Sequence, residues 1–303
     1  MSPLTIERLR LLVAVGHYGT ISAAARDLGY TASAVSQQLS GLERRLGVSL
    51  LERTSRGVSL TPTGLRLSQR AAKILDLVDT ATAEAMEAGP EAPPLAIRIG
   101  AFPTAISLLL IPVIGALSAA VELTIVHLEP EQALAELAAR HIDAALVDLY
   151  DNEPPALRPG LHHVPLLTDP LQLAVHVDAG VPGSIADLAD APWALAGAHS
   201  RLGRAARAAL RTIGVEPRVT VESDDHRVVF DVMGSLTAAT VQPELALRAV
   251  PAHVRPVPEI ALNCDRHVQL VTRDLEHPHM GFAALEQALR NAPNAQTVHG
   301  ARC

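Results

Sequence analysis

Between Thr31 and Ser40 the chain reads TASAVSQQLS, and five short polar side chains, Thr31, Ser33, Ser36, Gln37 and Ser40, interleave with an apolar row. That row is Val35, Leu39, Leu42 and Leu46, spaced four, three and four residues, the period of a helix that buries one face. The polar five then fall on the exposed turns. A glutamine amide carries a donor and an acceptor side by side and can pair bidentately with adenine, while serine and threonine hydroxyls reach phosphates or base edges. Arg53 and Arg56 follow on either side of a turn, where a guanidinium can reach a backbone phosphate or the minor groove. These seven residues are the candidate nucleic-acid contacts. The same types also have a plain structural use, the hydroxyls as caps and solubilising groups and Arg53 as partner to a neighbouring acid.

Charge is distributed in step with that reading. Residues 1–66 hold eight arginines against four acids, a surplus of four, whereas the rest holds seventeen basic and twenty-eight acidic residues, a deficit of eleven. A basic front on an acidic body suits a polyanion at one end only, the alternative being an unevenly solvated surface. With 49% hydrophobic and 19% charged residues the chain has material for a sizeable core. Aromatics make up 2%, so that core is built of Ala, Leu, Val and Ile, and few rings are available to stack on a large flat ligand. No uncharged apolar run approaches about 18 residues, which argues against a membrane span. The N-terminus breaks its apolar pattern with charges, unlike a secretory leader. Two distant cysteines, Cys264 and Cys303, suit a reducing cytoplasm and make no disulfide framework.

The elements that would position the polar face are short. Ile6, Leu9, Leu12 and Val13 predict a first helix, and ISAAARDLG a second, closed by Gly29. Thr31 caps the third and Gly47 ends it. VSLLERTSRGVSLT reads as a β-hairpin. Thr61-Pro62 starts a long helix running to about Ala88, with Leu67, Ala71, Ile74, Val78, Ala81 and Ala85 at heptad spacing. Such a seam pairs with a second copy or packs on its own chain. GPEAPP at 89–94 breaks the helix as a linker. Beyond it, AIRIG, VELTIVHL, IDAALVD, LQLAVHV, WALA, RVTVES, SLTAATV and HVQLVTR alternate with helices, which predicts an α/β fold with a mostly parallel sheet divided into two lobes.

The segment ISAAARDLGYTASAVSQQLSGLERRLGVSLLERTSRGVSLTPTG resembles the LysR-type transcriptional regulators. The match rests on Ala24-Ala25, on Ser33-Ala34-Val35-Ser36-Gln37 of the recognition helix, on Leu42-Glu43, Leu46-Gly47, Leu51-Glu52-Arg53 and on Leu60-Thr61. The resemblance implies a winged helix-turn-helix DNA-binding domain at 1–61, a linker and dimerisation helix at 62–88, and an effector-binding domain at 89–303. The last would be periplasmic-binding-protein-like, with lobe I about 95–165 and 269–303 and lobe II about 166–268. It further implies double-stranded DNA with an interrupted inverted repeat as target, self-assembly as dimer or tetramer, contact with RNA polymerase, and a small polar or anionic metabolite between the lobes. Carried over by position, the effector residues are Thr104, Asp148, His199, Ser200 and Asp224. Thr104 and Ser200 sit at predicted helix starts, where free N–H groups favour an anion, or where they simply cap. Many relatives have Gln-Pro where this chain has Ala32-Ser33, which removes a base contact at Ala32.

Other chemistry is not written in the sequence. It carries no GxSxG, GxGxxG, P-loop or HExxH pattern, so no catalytic residue is expected. His162-His163 and His277-Pro278-His279 stand apart from cysteines and read as surface histidines, so neither metal nor cofactor is expected. Cys264 lacks the neighbouring cysteine that peroxide-sensing members of the resembling family use. The competing reading is a solute-binding or enzymatic α/β protein whose helical front only mediates assembly.

Overall fold

A computed structural model describes residues 3–54, 57–87, 94–117, 121–153, 160–179, 188, 191–248, 250–274 and 280–292. Arg56, residues 89–93 of the linker, His277, His279 and Cys303 lie outside them. The first three helices are α1 (Ile6–Tyr18), α2 (Ile21–Asp27) and α3 (Ala32–Leu46), capped by the hydroxyls of Thr5, Thr20 and Thr31. Gly47 ends α3 at φ 70°, a left-handed position that costs glycine nothing. Leu11, Leu12, Ala24, Ala25, Val35, Leu39 and Leu42 close one small core. Glu43 then ties α3 to the hairpin, its carboxylate accepting from the N–H groups of Leu50 and Leu51 at 2.7 and 3.1 Å. The hairpin is β1 (Leu51–Thr54) paired antiparallel with β2 (Gly57–Leu60).

The long helix α4 (Pro62–Glu87) begins where Thr61 donates to the Ser49 carbonyl at 2.8 Å and accepts from the Gly64 N–H at 3.0 Å. Its heptad row divides. Ala71, together with Leu75, is buried against Leu9 and Val13 of α1, and Leu67 packs on the core of the first three helices. Ile74 and Leu77 remain exposed. The first half of the row therefore packs on its own chain, because α1 presents an apolar face that the short domain cannot otherwise cover.

The remainder is one nine-stranded sheet curled through two cores. The first lobe opens with β3 (Leu95–Ala101), then α5 (Pro103–Ala105), a π-helical turn at Ile106–Leu110, a 3₁₀ turn at Ile111–Val113, and α6 (Ile114–Leu117). The alternation of strands and helices predicts one continuous helix between β3 and the next strand. Pro112 lacks the N–H that a continuous α-helix needs there, which accounts for the break. Next come β4 (Val121–His127), α7 (Pro130–Ala138) and β5 (Ala144–Tyr150), with β3 parallel to both strands. The sixteen-residue β6 (Leu161–His176) crosses into the second lobe. There follow β7 (Pro192–Leu195), α8 (Arg201–Thr212), β8 (Arg218–Glu222), α9 (His226–Ser235), β9 (Ala239–Pro243), α10 (Glu244–Leu247) and β10 (Val254–Val257). The chain returns by β11 (Asp265–Arg273) to α11 (Met280–Arg290). The two ends of the sheet are parallel, but β6 and β11, which join the lobes, run antiparallel to their neighbours. β6 pairs with β11 as far as Pro170 and with β9 from Leu171. No helix among the described residues is long and apolar enough to cross a membrane.

The two halves of the chain meet at a buried acid. Asp76 of α4, 7% exposed, accepts from Arg140 after α7 and from Arg273 of β11, the latter at 2.8 Å. Arg140 holds φ 69°, a conformation costly for any residue with a Cβ, and its guanidinium also bonds the Ala72 carbonyl and Asp79.

Gly64 supplies the sharpest steric test of this packing. A Cβ there would lie 2.0 Å from the Leu50 carbonyl oxygen, a backbone atom that cannot turn aside. Gly64→Ala gains about 1 kcal/mol of helix propensity. Overpacking costs about 1–3 kcal/mol, and this contact is severe. A lower melting temperature is the expected result by calorimetry, and an unchanged one would contradict the packing of α4 on the hairpin.

Candidate functional site

On α3 the structure puts the five predicted polar residues on one exposed face while Val35, Leu39 and Leu42 are buried. Thr31 is engaged as the cap, accepting from the Ala34 N–H at 3.2 Å and lying 3.1 Å from the Ser33 hydroxyl. Ser33, Ser36, Gln37 and Ser40 are all exposed to solvent. Beside them runs a polar groove bounded by Arg8, Gln37, Gln38, Gly41, Arg44 and Arg45. Arg8 is held there, donating to Gln38 Oε1 at 3.1 Å and to the Pro3 carbonyl at 2.9 Å. Arg44 and Arg45 are exposed at the helix end. Sequence reasoning passed over these two because basic residues in a last turn already have a use against the helix dipole. Arg53 lies on β1 opposite Val58; its side chain, like the whole of Arg56, is outside the description.

The second site is the cleft between the lobes, a cavity of about 60 Å³. At roughly 15 Å³ per water, that is room for about four. Strand ends and helix starts of both lobes converge there, the usual place for ligands in such sheets. Its floor is Arg266, 2% exposed. The guanidinium donates from Nε to Asp169 Oδ2 at 3.1 Å, from Nη2 to the same carboxylate, and from Nη1 to the Thr104 hydroxyl at 2.9 Å. The Phe102 ring lies beneath it, 5.5 Å away. Burial alone would lower the pKa of Arg266, but Asp169, by its charge and its hydrogen bonds, and Asp148 outweigh it and raise the pKa, so the cation persists. Asp169 completes the knot by accepting from the Leu245 N–H of α10 at 2.9 Å.

Thr104, Asp148, Ser200 and Asp224, four of the five predicted effector residues, line this one cleft. His199 stands at its rim, 83% exposed, 3.1 Å from Asp224. Thr104 is not a cap, because Phe102 holds the N-cap position and makes no side-chain bond; α5 is only three residues long. Ser200 does cap α8, accepting from the Gly203 N–H at 3.1 Å and donating to the Gly197 carbonyl at 2.9 Å. Neither helix start is therefore a free anion site. Asp148 is buried and accepts from the Tyr150 hydroxyl at 3.0 Å. Burial pushes its pKa up, against Arg266, the Tyr150 bond and Arg201. Burial, with Asp148 and Asp224 nearby, raises that of Glu129, and burial lowers that of His226. Arg266 and Arg201 escaped the sequence reading, since a charged residue at the start of a strand or helix looks like surface.

Known proteins share this layout. The profile of the bacterial regulatory helix-turn-helix protein, lysR family, matches residues 6–65, and that of the LysR substrate binding domain matches 92–293. A probable hydrogen peroxide-inducible genes activator of Mycobacterium xenopi is 38% identical over 176 residues, covering 56% of this chain and 89% of that protein. Its counterpart in Mycobacterium avium is 35% identical over 201 residues, 63% of this chain and 62% of the relative. Among solved structures, a full-length OxyR variant from Pseudomonas aeruginosa aligns over 99% of both chains with a TM-score of 0.70 at 18% identity. Full-length CbnR complexed with its target DNA aligns over 95% of this chain and 100% of that one, with a TM-score of 0.54 at 20% identity. At such identities the structural likeness is one of fold.

The cleft acid supplies a pH test. A carboxyl whose pKa is raised by folding contributes most stability below its ordinary value of 3.8 and loses it as pH rises through the raised value. Asp148→Asn keeps the shape and the acceptor for Tyr150 but cannot ionise. Its melting temperature relative to the parent should therefore climb as pH rises above 3.8 and level off once Asp148 of the parent is ionised. A flat or falling difference would show that the charged form of Asp148 is the favoured one.

Proposed function

The chain belongs to the LysR family of bacterial transcriptional regulators, with a helix-turn-helix DNA-binding domain and a substrate-binding domain, and from that premise we propose how its two sites work together. The family binds DNA and small-molecule effectors and assembles into oligomers. Here the reading face is Ser33, Ser36, Gln37 and Ser40 with Thr31, flanked by Arg53 and Arg56 of the wing and supported by Arg8, Arg44 and Arg45. The observation that carries this is the coincidence on α3 of a buried apolar stripe, Val35, Leu39 and Leu42, with an outward face of polar groups. Domains are assigned at 1–61, 62–88 and 89–303. The exposed Ile74 and Leu77 of α4 favour pairing with a second copy, as dimer or tetramer. Two paired reading helices then call for an interrupted inverted repeat in double-stranded DNA. Contact with RNA polymerase and a cytoplasmic location belong to the same proposal. The aligned relatives are regulators, which are not enzymes, and we assign the cleft binding rather than catalysis.

The effector proposed is a small polar metabolite. Three carboxylates, Glu129, Asp148 and Asp224, and two guanidiniums, Arg201 and Arg266, line the cleft. A purely anionic ligand suits this lining less well than one that both donates and accepts. Thr104, Asp148, Ser200 and Asp224, with His199 at the rim, would contact it. The mycobacterial relatives are named for hydrogen peroxide, but that property is not carried over. Cys264 is buried, and burial with Asp151 nearby pushes its thiol up to about 11, far from a reactive thiolate.

Two experiments test the reading. Gln37→Ala should weaken binding to the DNA upstream of the protein's own gene by about 1–3 kcal/mol and relax base preference at one position. Undiminished selectivity would remove Gln37 from the reading face. A thermal-shift screen of small amino and hydroxy acids should find a binder, since occupancy stabilises by RT ln(1 + [L]/Kd). Thr104→Val, which removes the hydroxyl but nearly keeps the volume, should lose that shift and retain DNA binding. A retained shift would exclude Thr104 from the pocket.

A further inference from the structure

Away from both sites, three metal-ligating side chains converge where the DNA-binding domain meets the sensing domain. They are His17 in the last turn of α1, Glu136 in α7 and His141 in the turn after it, all partly buried. One ligand atom from each lies within 4.8 Å of the others. We propose that His17, Glu136 and His141 bind a divalent transition-metal ion of the zinc type, which fastens α1 to the sensing domain and so links metal supply to the placement of the reading helix.

Two imidazoles and a carboxylate are the donor set that such an ion takes, leaving a fourth position for water. Bonds of about 2.0 Å require ligand atoms roughly 3.3 Å apart in a tetrahedron, so modest side-chain rotations close the gap. The surroundings supply a second, independent indication. A metal-bound imidazole characteristically gives its other N–H to a carboxylate. His141 is already bracketed in that way, Nδ1 2.7 Å from Glu136 Oε2 and Nε2 3.2 Å from Asp27 Oδ2, with the Tyr18 hydroxyl 3.1 Å from Nε2. The His17 and His141 rings meet edge to face with centroids 5.5 Å apart. Among the described residues, no lysine or arginine forms an ion pair with Asp27 or Glu136. Arg140, next in sequence to His141, turns instead to Asp76 and Asp79. The cluster thus has two carboxylates with no lysine or arginine against them among the described residues.

The test uses the full chain stripped of metal by a chelator and titrated with Zn²⁺ by calorimetry, and with Co²⁺ followed by visible absorption. The expected result is one tight site per chain, a higher melting temperature with Zn²⁺, and a tetrahedral Co²⁺ spectrum. His17→Gln and His141→Gln should each abolish the site, while His162→Gln, at an exposed histidine elsewhere, leaves it intact. Asp27→Asn should weaken affinity by about 10–100-fold without removing the site. Metal-free melting temperatures of the variants, held near that of the parent, separate lost ligation from lost folding. The proposal is overturned if no stoichiometric site exists, if the His17 and His141 variants bind as the parent does, or if the cluster responds only to protons. Because binding is measured without DNA, these outcomes stand apart from the fate of the reading-face assignment.

Discussion

A guanidinium taken out of water has to be answered where it lies, and Arg266 sets that condition at the centre of the sensing domain. The pair it forms with Asp169 is 2% and 0% exposed. Burying two charges gains little stability over a well-packed apolar core, yet removing one partner strands the other at a cost of about 3–5 kcal/mol. The arrangement is therefore rigid in its geometry. Asp169 lies on β6 next to the point where that strand leaves β11 for β9, so the ion pair stands at the hinge between lobes. The same carboxylate holds the start of α10, and the same guanidinium orients Thr104 into the cleft. What the cleft offers a ligand follows from this one compensation.

A second buried carboxylate does comparable work between domains. Asp76 brings Arg140 and Arg273 onto α4, so a displacement of α7 or β11 acts directly on the helix that carries the DNA-binding domain. A ligand moves such a joint only by binding two arrangements with different affinity. The geometry gives this requirement a physical route. β11 bears Arg266 near one end and Arg273 at the other, so the cleft floor and the α4 clamp share a strand. The carboxylate–histidine cluster at Asp27, Glu136 and His141 adds a third contact across the same boundary, where His17 and Tyr18 of α1 meet the end of α7.

Helical period reported burial well on α3, where the core partners on α1 and α2 are near in sequence, though Ile6 at the start of α1 is exposed. Val35, Leu39 and Leu42 were legible as a stripe for that reason, and so was the outward polar face. Period was a poorer guide for α4, whose row continues past the end of α1. Ala71 meets Leu9 and Val13, while Ile74, one turn on, is left exposed. In β6 the prolines at 165 and 170 hid the first half of the strand, because proline is an unfavourable ladder residue. They are tolerated here at positions opposite Gln269 and Asp265, next to the register shift and the lobe crossing.

By itself, the sequence determined the first three helices, the caps at Thr31 and Thr61, the basic front and the chemistry displayed on α3, since each depends on residues close to one another in the chain. Only the tertiary structure decided the cleft and the joints. Thr104 meets a guanidinium 162 positions later, Asp76 an arginine 197 positions later, and Tyr18 a histidine 123 positions later. No local period records such pairings. They arise because a charge or a polar hydrogen, once buried by the packing of distant apolar faces, must find its partner among whatever the fold has brought within about 3 Å.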